Sequence, residues 1–177
     1  MFIGKVFNKA LDWEDIKRAL IDTALINGAT TFMVGLSASF AGFMTMKQVP
    51  ALVGQFLLNI SDSKIIILLL IILILLIVGL FIDNISSCII LTPILLPIVA
   101  KFGIDPVHFG VIMTMSLAIG FSTPPYGANL FVASAISGVP VEKMTKHLIP
   151  FILANIAILL LVTFIPEISM ALVNVLR

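Results

Sequence analysis

The sequence predicts an all-α integral membrane protein, and three observations carry that reading. The chain of 177 residues is 60% hydrophobic and 11% charged, whereas soluble domains run nearer half apolar and about a quarter charged. Its apolar segments are long and continuous, without the short alternating stretches of a membrane β-barrel. One apolar segment is interrupted, at expected membrane depth, by Gly120-Phe-Ser-Thr-Pro-Pro-Tyr-Gly127. A net charge of +1 gives no support for a nucleic-acid partner. Cys88 is the single cysteine, and His108 and His147 are the two histidines, which excludes a disulfide framework and a zinc centre. Ser/His/Asp sets, phosphate loops and HExxH motifs do not occur, so no enzymatic reading arises.

Residues 1–18 read as a cytoplasmic interfacial arm helix. Charged Lys5, Lys9, Asp12, Glu14, Asp15, Lys17 and Arg18 alternate there with Phe2, Phe7, Leu11, Trp13 and Ile16. Asp12 fits an N-cap and Trp13 the headgroup level. A solvated arm outside the membrane is the alternative. The same charges, with no apolar run between them, do not read as a secretory signal.

The first spanning helix is expected over 19–46. Gly28, Gly35, Ala38, Ala41 and Gly42 lie there among Asp22, Thr23, Asn27, Thr31 and Ser39. That mixture suits a helix packed inside a bundle, since small residues let helices approach closely. Pro50 then opens a short connector over 50–60, with Gln55 and Asn59 marking it as surface-lying.

Ile65–Ile82 is the most apolar run, about 18 residues and just long enough to span. Asp83 and Asn84 follow at once, and Ile85–Val99 is apolar again. Charges flank the pair at Lys64 and Lys101. The pattern predicts a helical hairpin over 63–100 whose tip, Gly79–Ser86, sits at depth as a re-entrant element. Two ordinary spanning helices with Asp83 in a surface turn remain the alternative.

Asp105 and Pro106 start the next helix as N-cap and first helical residue. With the interruption at its centre, this broken helix is expected over 105–138, ending at Gly138-Val-Pro140. His108, near its start, reads as an interfacial polar residue. Val141–His147 is a short polar stretch, and the last helix is expected over 149–172, with Asn155 polar at its middle. With the N-terminus inside, six basic residues fall on the inner face and four on the outer, a weak positive-inside bias.

The interruption has a physical consequence. Pro124 and Pro125 lack N–H groups and clash with the preceding turn, and a residue before proline leaves helical geometry. A broken helix in lipid frees polar backbone groups, which is tolerated only inside protein or along a cavity. Freed carbonyls can coordinate a cation, and a new helix N-terminus can face an anion. Gly79, Gly120, Thr123 and Tyr126 could offer carbonyls to sodium, a hard cation that takes oxygen ligands. Ser122 and Thr123 add hydroxyls and Asn129 an amide, while Asn84 and Gly127 flank the two interruptions. A proline kink that binds nothing is the competing reading. Asp83 has three: N-cap of the second hairpin arm, which ranks first; ion ligand, second; or partner of an absent base.

From about Leu11 onward the chain resembles the C-terminal half of the large membrane (M) subunit of the tripartite ATP-independent periplasmic, or TRAP, transporters. The blocks that carry the resemblance are Gly79-Leu-Phe-Ile-Asp83, Leu91-Thr-Pro-Ile-Leu-Leu-Pro97, Gly103-Ile-Asp-Pro-Val-His-Phe-Gly110 and Gly120-Phe-Ser-Thr-Pro-Pro-Tyr-Gly-Ala-Asn-Leu-Phe131. The resemblance implies an ion-transporter-type inverted-repeat fold moving as an elevator, of which this chain supplies the second repeat only. It implies import of organic anions, such as dicarboxylates or sialic acids, by symport with sodium across the bacterial inner membrane. The partners implied are a small Q membrane subunit, a periplasmic P substrate-binding protein and the N-terminal repeat of the M subunit. No cofactor is implied beyond Na+ as coupling ion. Matched position by position, the family's second sodium site falls on the carbonyls of Gly79, Gly120, Thr123 and Tyr126. The first repeat has no counterpart here, so the expectation is a fragment, a split-gene product or a truncated permease. The alternative function is a structural or assembly role without transport.

Overall fold

A computed structural model of the chain describes residues 13–61 and 63–176. The regular elements among them are all helices. The expected arm over 1–18, with Asp12 as its cap, lies outside the described residues as far as residue 12. Its remaining residues belong to the first helix, α1, which runs Trp13–Met46 and of which Val34–Met46 is the apolar part. Nothing at Arg18–Ala19 breaks a helix, so the expected boundary at 19 does not occur. Glu14 and Asp15 in the first turn also suit the positive end of the helix dipole.

Gln48, in a left-handed conformation, turns the chain into α2, Val49–Ile60, with Pro50 in the first turn. This helix is surface-lying on one side only. Gln55 and Asn59 are exposed, while Leu57 and Gly54 are buried. A Cβ on Gly54 would stand 3.3 Å from Ile98 Cγ1, so the helix sits directly on the next layer.

The two most apolar helices follow: α3, Lys64–Phe81, and α4, Asn84–Lys101. Ile82 and Asp83 alone join them. Asp83 Oδ2 accepts the Ser86 N–H at 3.0 Å, satisfying one of the orphan donors of the α4 N-terminus. Then α5, Pro106–Phe121, begins on Asp105, whose carboxylate accepts the Val107 N–H at 2.8 Å. Beyond the interruption come α6, Ala128–Ser137, and α7, Val141–Phe164. The last helix, α8, is Pro166–Leu176.

The C-terminal boundaries differ from expectation at two prolines. Pro150 lies inside α7, which runs through it and takes in the polar turns from Val141. An interior proline removes the bond to the carbonyl four residues back, here Lys146, and crowds that carbonyl, and membrane helices tolerate such prolines. Pro166 does end a helix, so the expected 149–172 element is divided. Ile165 takes φ −119° and ψ 82°, outside the helical region, as the residue before proline is disposed to do.

The core is the packing of α3 against α5. Each buries one stripe: Ile67, Leu68, Ile71, Ile72, Leu75 and Gly79 on α3, and Phe109, Ile112, Met113, Ser116, Leu117 and Gly120 on α5. Residues at the starts of both helices, Lys64 and Asp105, line one cavity, and their ends meet at Gly79 and Gly120. The two helices therefore run parallel. The chain returns along α4, which packs on α1, α2 and α5 more than on α3. The arms of the α3–α4 pair are thus held chiefly by α5 and α1 rather than by each other. By length and composition, α3, α4 and α7 can each cross a membrane.

The Asp83 cap yields a direct test. Asp83→Ala should lower unfolding free energy in detergent by about 1 kcal/mol, whereas Asp83→Asn, which keeps an acceptor, should cost only a few tenths. Equal losses in the two variants would remove the cap from this account.

Candidate functional site

Two helix interruptions meet in this fold: the Ile82–Asp83 link and the Ser122–Gly127 break. The contact that joins them is backbone on backbone. A Cβ built on Gly79 would lie 2.6 Å from the Leu117 carbonyl oxygen and 3.1 Å from Gly120 Cα. One built on Gly120 would collide with the Leu76 carbonyl oxygen and stand 2.9 Å from Gly79 Cα. No side chain larger than hydrogen fits at either position. Glycine is therefore required at both by helix packing, independently of any ion.

The break is a tight, internally bonded turn. Ser122 N–H donates to the Ile119 carbonyl at 3.1 Å, and Thr123 N–H to the Gly120 carbonyl at 2.9 Å. Gly127 N–H then donates to the Thr123 carbonyl at 2.9 Å, closing the loop around Pro124 and Pro125, whose shared peptide bond is cis. Gly127 is buried, and a Cβ there would stand 2.7 Å from the Thr123 carbonyl oxygen, so the turn closes only with glycine. Thr123 Oγ1 donates back to the Ile119 carbonyl at 2.6 Å. Asn129 Nδ2 donates to Ser122 Oγ at 3.1 Å, tying the start of α6 to the end of α5 across the break.

The sequence-selected residues fall in one neighbourhood. Gly79 touches Gly120, Gly120 is bonded to Thr123, and the Tyr126 ring rests on Phe81 with centroids 5.3 Å apart. The Thr123 carbonyl accepts one N–H, leaving it a second lone pair, whereas the Gly120 carbonyl faces the N–H groups of both Ser122 and Thr123. Asn84 is turned to its own helix, where its Oδ1 accepts from Cys88 Sγ at 3.6 Å. Pro124 is half-buried and Pro125 exposed at the apex.

Two further polar groups, Ser87 and His108, are buried outside this neighbourhood. Ser87, one turn past Asp83, is 1% exposed, and its Oγ has no hydrogen-bond partner among the described residues. Nothing in the sequence marks it, since Ser86 beside it has the same residue type. His108, near the start of α5, is buried inside the protein. Its Nδ1 lies 2.6 Å from Ser169 Oγ and its Nε2 3.3 Å from the Thr163 carbonyl oxygen, linking α5 to both sides of the α7–α8 junction. It lines a cavity of about 230 Å³ at the end of the molecule remote from the break. The sequence places it near a helix start; its burial follows from α8 folding back over it.

Together these features define a polytopic α-helical membrane protein whose irregular backbone is gathered where two helix interruptions meet, the architecture of membrane transport proteins. The chain belongs to the tripartite ATP-independent periplasmic transporter family, DctM component, whose model matches residues 1–168. It is 40% identical, over 96% of its length, to the isethionate TRAP transporter permease protein of Oleidesulfovibrio alaskensis, of which it covers 27%. It is 33% identical to the C4-dicarboxylate large permease protein of Rhodobacter capsulatus, over 99% of this chain and 40% of that one. To the sialic acid large permease protein of Vibrio cholerae it is also 33% identical, over 97% and 40%. The chain thus spans between about a quarter and two fifths of the length of these relatives. The family is one of inner-membrane permeases and not of enzymes.

The glycine contact makes a prediction of its own. Gly79→Ala or Gly120→Ala should destabilise the folded chain by about 1–3 kcal/mol or more through overpacking, with or without sodium. Gly110→Ala, on the same helix with open space around it, should be neutral or stabilise by up to about 1 kcal/mol. Thermal unfolding in detergent distinguishes the two outcomes.

Proposed function

We propose that the chain is part of the large permease of a secondary transporter that imports organic anions with a sodium gradient. A periplasmic substrate-binding protein and a small membrane subunit are its proposed partners. The observation that carries this is the meeting of two helix interruptions in a chain of the TRAP permease family. Isethionate, C4-dicarboxylates and sialic acid, which name the relatives' transporters, are all organic anions. That shared chemistry supports the substrate class without choosing a member of it. These relatives are permeases by name, which favours transport over a purely structural or assembly role.

In this reading the carbonyls of Gly79, Gly120, Thr123 and Tyr126 hold the coupling sodium. Sodium needs several oxygens converging from different segments, and α3 and α5 bring two helix ends within backbone contact. Missing Cβ atoms at Gly79 and Gly120 leave those carbonyls unshielded. Pro124 and Pro125 fix the directions of neighbouring carbonyls, and Gly127 closes the turn. Ser122 and Asn129 brace the break, and Asp83 with Asn84 shapes the opposite tip. The N-terminus of α6 offers a positive dipole end to a substrate carboxylate. The α3–α4 tip acts as a re-entrant hairpin at membrane depth. The tight α3–α5 seam lets hairpin and broken helix move as one elevator-like body.

Sodium, compared with potassium or choline, should raise the thermal stability of the permease, by about 2.7 kcal/mol at a hundredfold excess over its dissociation constant. In the complete permease reconstituted with its partners, dicarboxylate or sialic acid uptake should follow the sodium gradient. Thr123→Pro, which removes the N–H bonded to the Gly120 carbonyl, should abolish the sodium-dependent increment. Thr123→Ala should largely keep it, because only the carbonyl binds. A folded Thr123→Pro protein with an undiminished sodium increment would sink the site. Substitutions at Gly79 or Gly120 are unsuitable for this test, since they disturb packing without any ion.

A further inference from the structure

The first turns of α7 carry Glu142, Lys143, Lys146 and His147, and from Leu148 to Phe164 the helix is apolar apart from Asn155 and Thr163. Those 17 residues rise about 26 Å, close to the thickness of a hydrocarbon core. The basic cluster therefore falls at the headgroup level of a bilayer. A groove of about 380 Å³ opens there, lined by Val139, Lys143, Met144, His147, Leu148 and Phe151.

The lining is ordered along the helix axis. Lys143 and His147 stand one turn apart on one face, and Leu148 and Phe151 continue towards the membrane interior. Phe151 is 68% exposed. The groove thus runs from cationic and N–H donors at one end to bare apolar surface at the other, along the direction a lipid takes in a leaflet. Glu142 is the one acidic group in these turns, against Lys143, Lys146 and His147. Clustered basic side chains at this depth attract anionic headgroups, and lysine stems cover apolar surface while the ammonium reaches the phosphate.

We infer that this groove is a binding site for one anionic phospholipid. Lys143 and His147 hold its phosphate, Lys146 adds to the local positive field, and Leu148 and Phe151 pack an acyl chain. The site lies on α7 away from the α3–α5 seam and does not depend on sodium coupling. It selects on headgroup charge.

The test uses the full chain purified from nanodiscs of equimolar phosphatidylglycerol and phosphatidylcholine, with bound lipid counted by native mass spectrometry. The wild type should retain phosphatidylglycerol preferentially. Lys143→Gln should lower its retention about fivefold, the equivalent of about 1 kcal/mol for one lysine near a membrane surface. Lys143 is exposed, so the variant should fold. Lys101→Gln removes the same charge from the far end of α4 and should change nothing. Phe151→Ser should lower retention of both lipids without altering their ratio. The inference is overturned by equal retention of the two lipids in the wild type, or by equal losses in Lys143→Gln and Lys101→Gln. Displacement of the lipid by inorganic phosphate alone, or occupation of the groove by a co-purifying polypeptide, would overturn it as well.

Discussion

Backbone polar groups cannot be left bare in a membrane, and the arrangement of this chain follows from that constraint. A helix may be interrupted at depth only where protein covers the freed groups. Here two helix ends meet at Gly79 and Gly120, so closely that a methyl group on either would strike backbone. The break after α5 is then satisfied largely from within. Its N–H groups turn back onto carbonyls of the same turn, and its prolines have no donors to satisfy.

Helix association in lipid has little hydrophobic driving force, because acyl chains are as apolar as leucine. Close packing must supply the attraction instead. The α3–α5 seam does so with β-branched and leucine side chains along its length and glycine where the backbones touch. Glycine at Gly79 and Gly120 thus has two effects with one cause. A missing Cβ permits the approach, and in the proposed sodium site the same absence keeps a side chain away from the carbonyl oxygens. Packing is sufficient to explain both residues, and for that reason Thr123 and the turn it closes are the informative positions for ion binding.

The rest of the molecule hangs from this seam unequally. On one side α4 fills the space between α5 and the α1–α2 pair, capped by Asp83. On the other, α7 touches α5 yet leaves most of its apolar length uncovered, surface that faces lipid or neighbouring protein in an inner-membrane permease. His108 is a buried polar group at the start of α5, and it has partners on both sides of the α7–α8 junction. Ser87 is the exception without one among the described residues.

Much of this was legible in the residues themselves. Apolar run lengths, Asp83 and Asp105 before helix starts, and the Pro-Pro interruption each act through local backbone chemistry, so the order of helices and the place of the break follow from sequence. The four positions grouped as carbonyl donors could also be chosen locally, because each lies at or next to a helix end. Proline was the ambiguous signal. Pro150 lies within a helix and Pro166 divides one, although neither carries the difference in its own residue type. Only tertiary structure decided that Gly79 and Gly120 are forced by each other, that Gly127 is needed to close the turn, and that His108 is buried by a helix starting some sixty residues later. Those facts depend on which backbones come within a few ångströms in space, and local sequence pattern does not encode that distance.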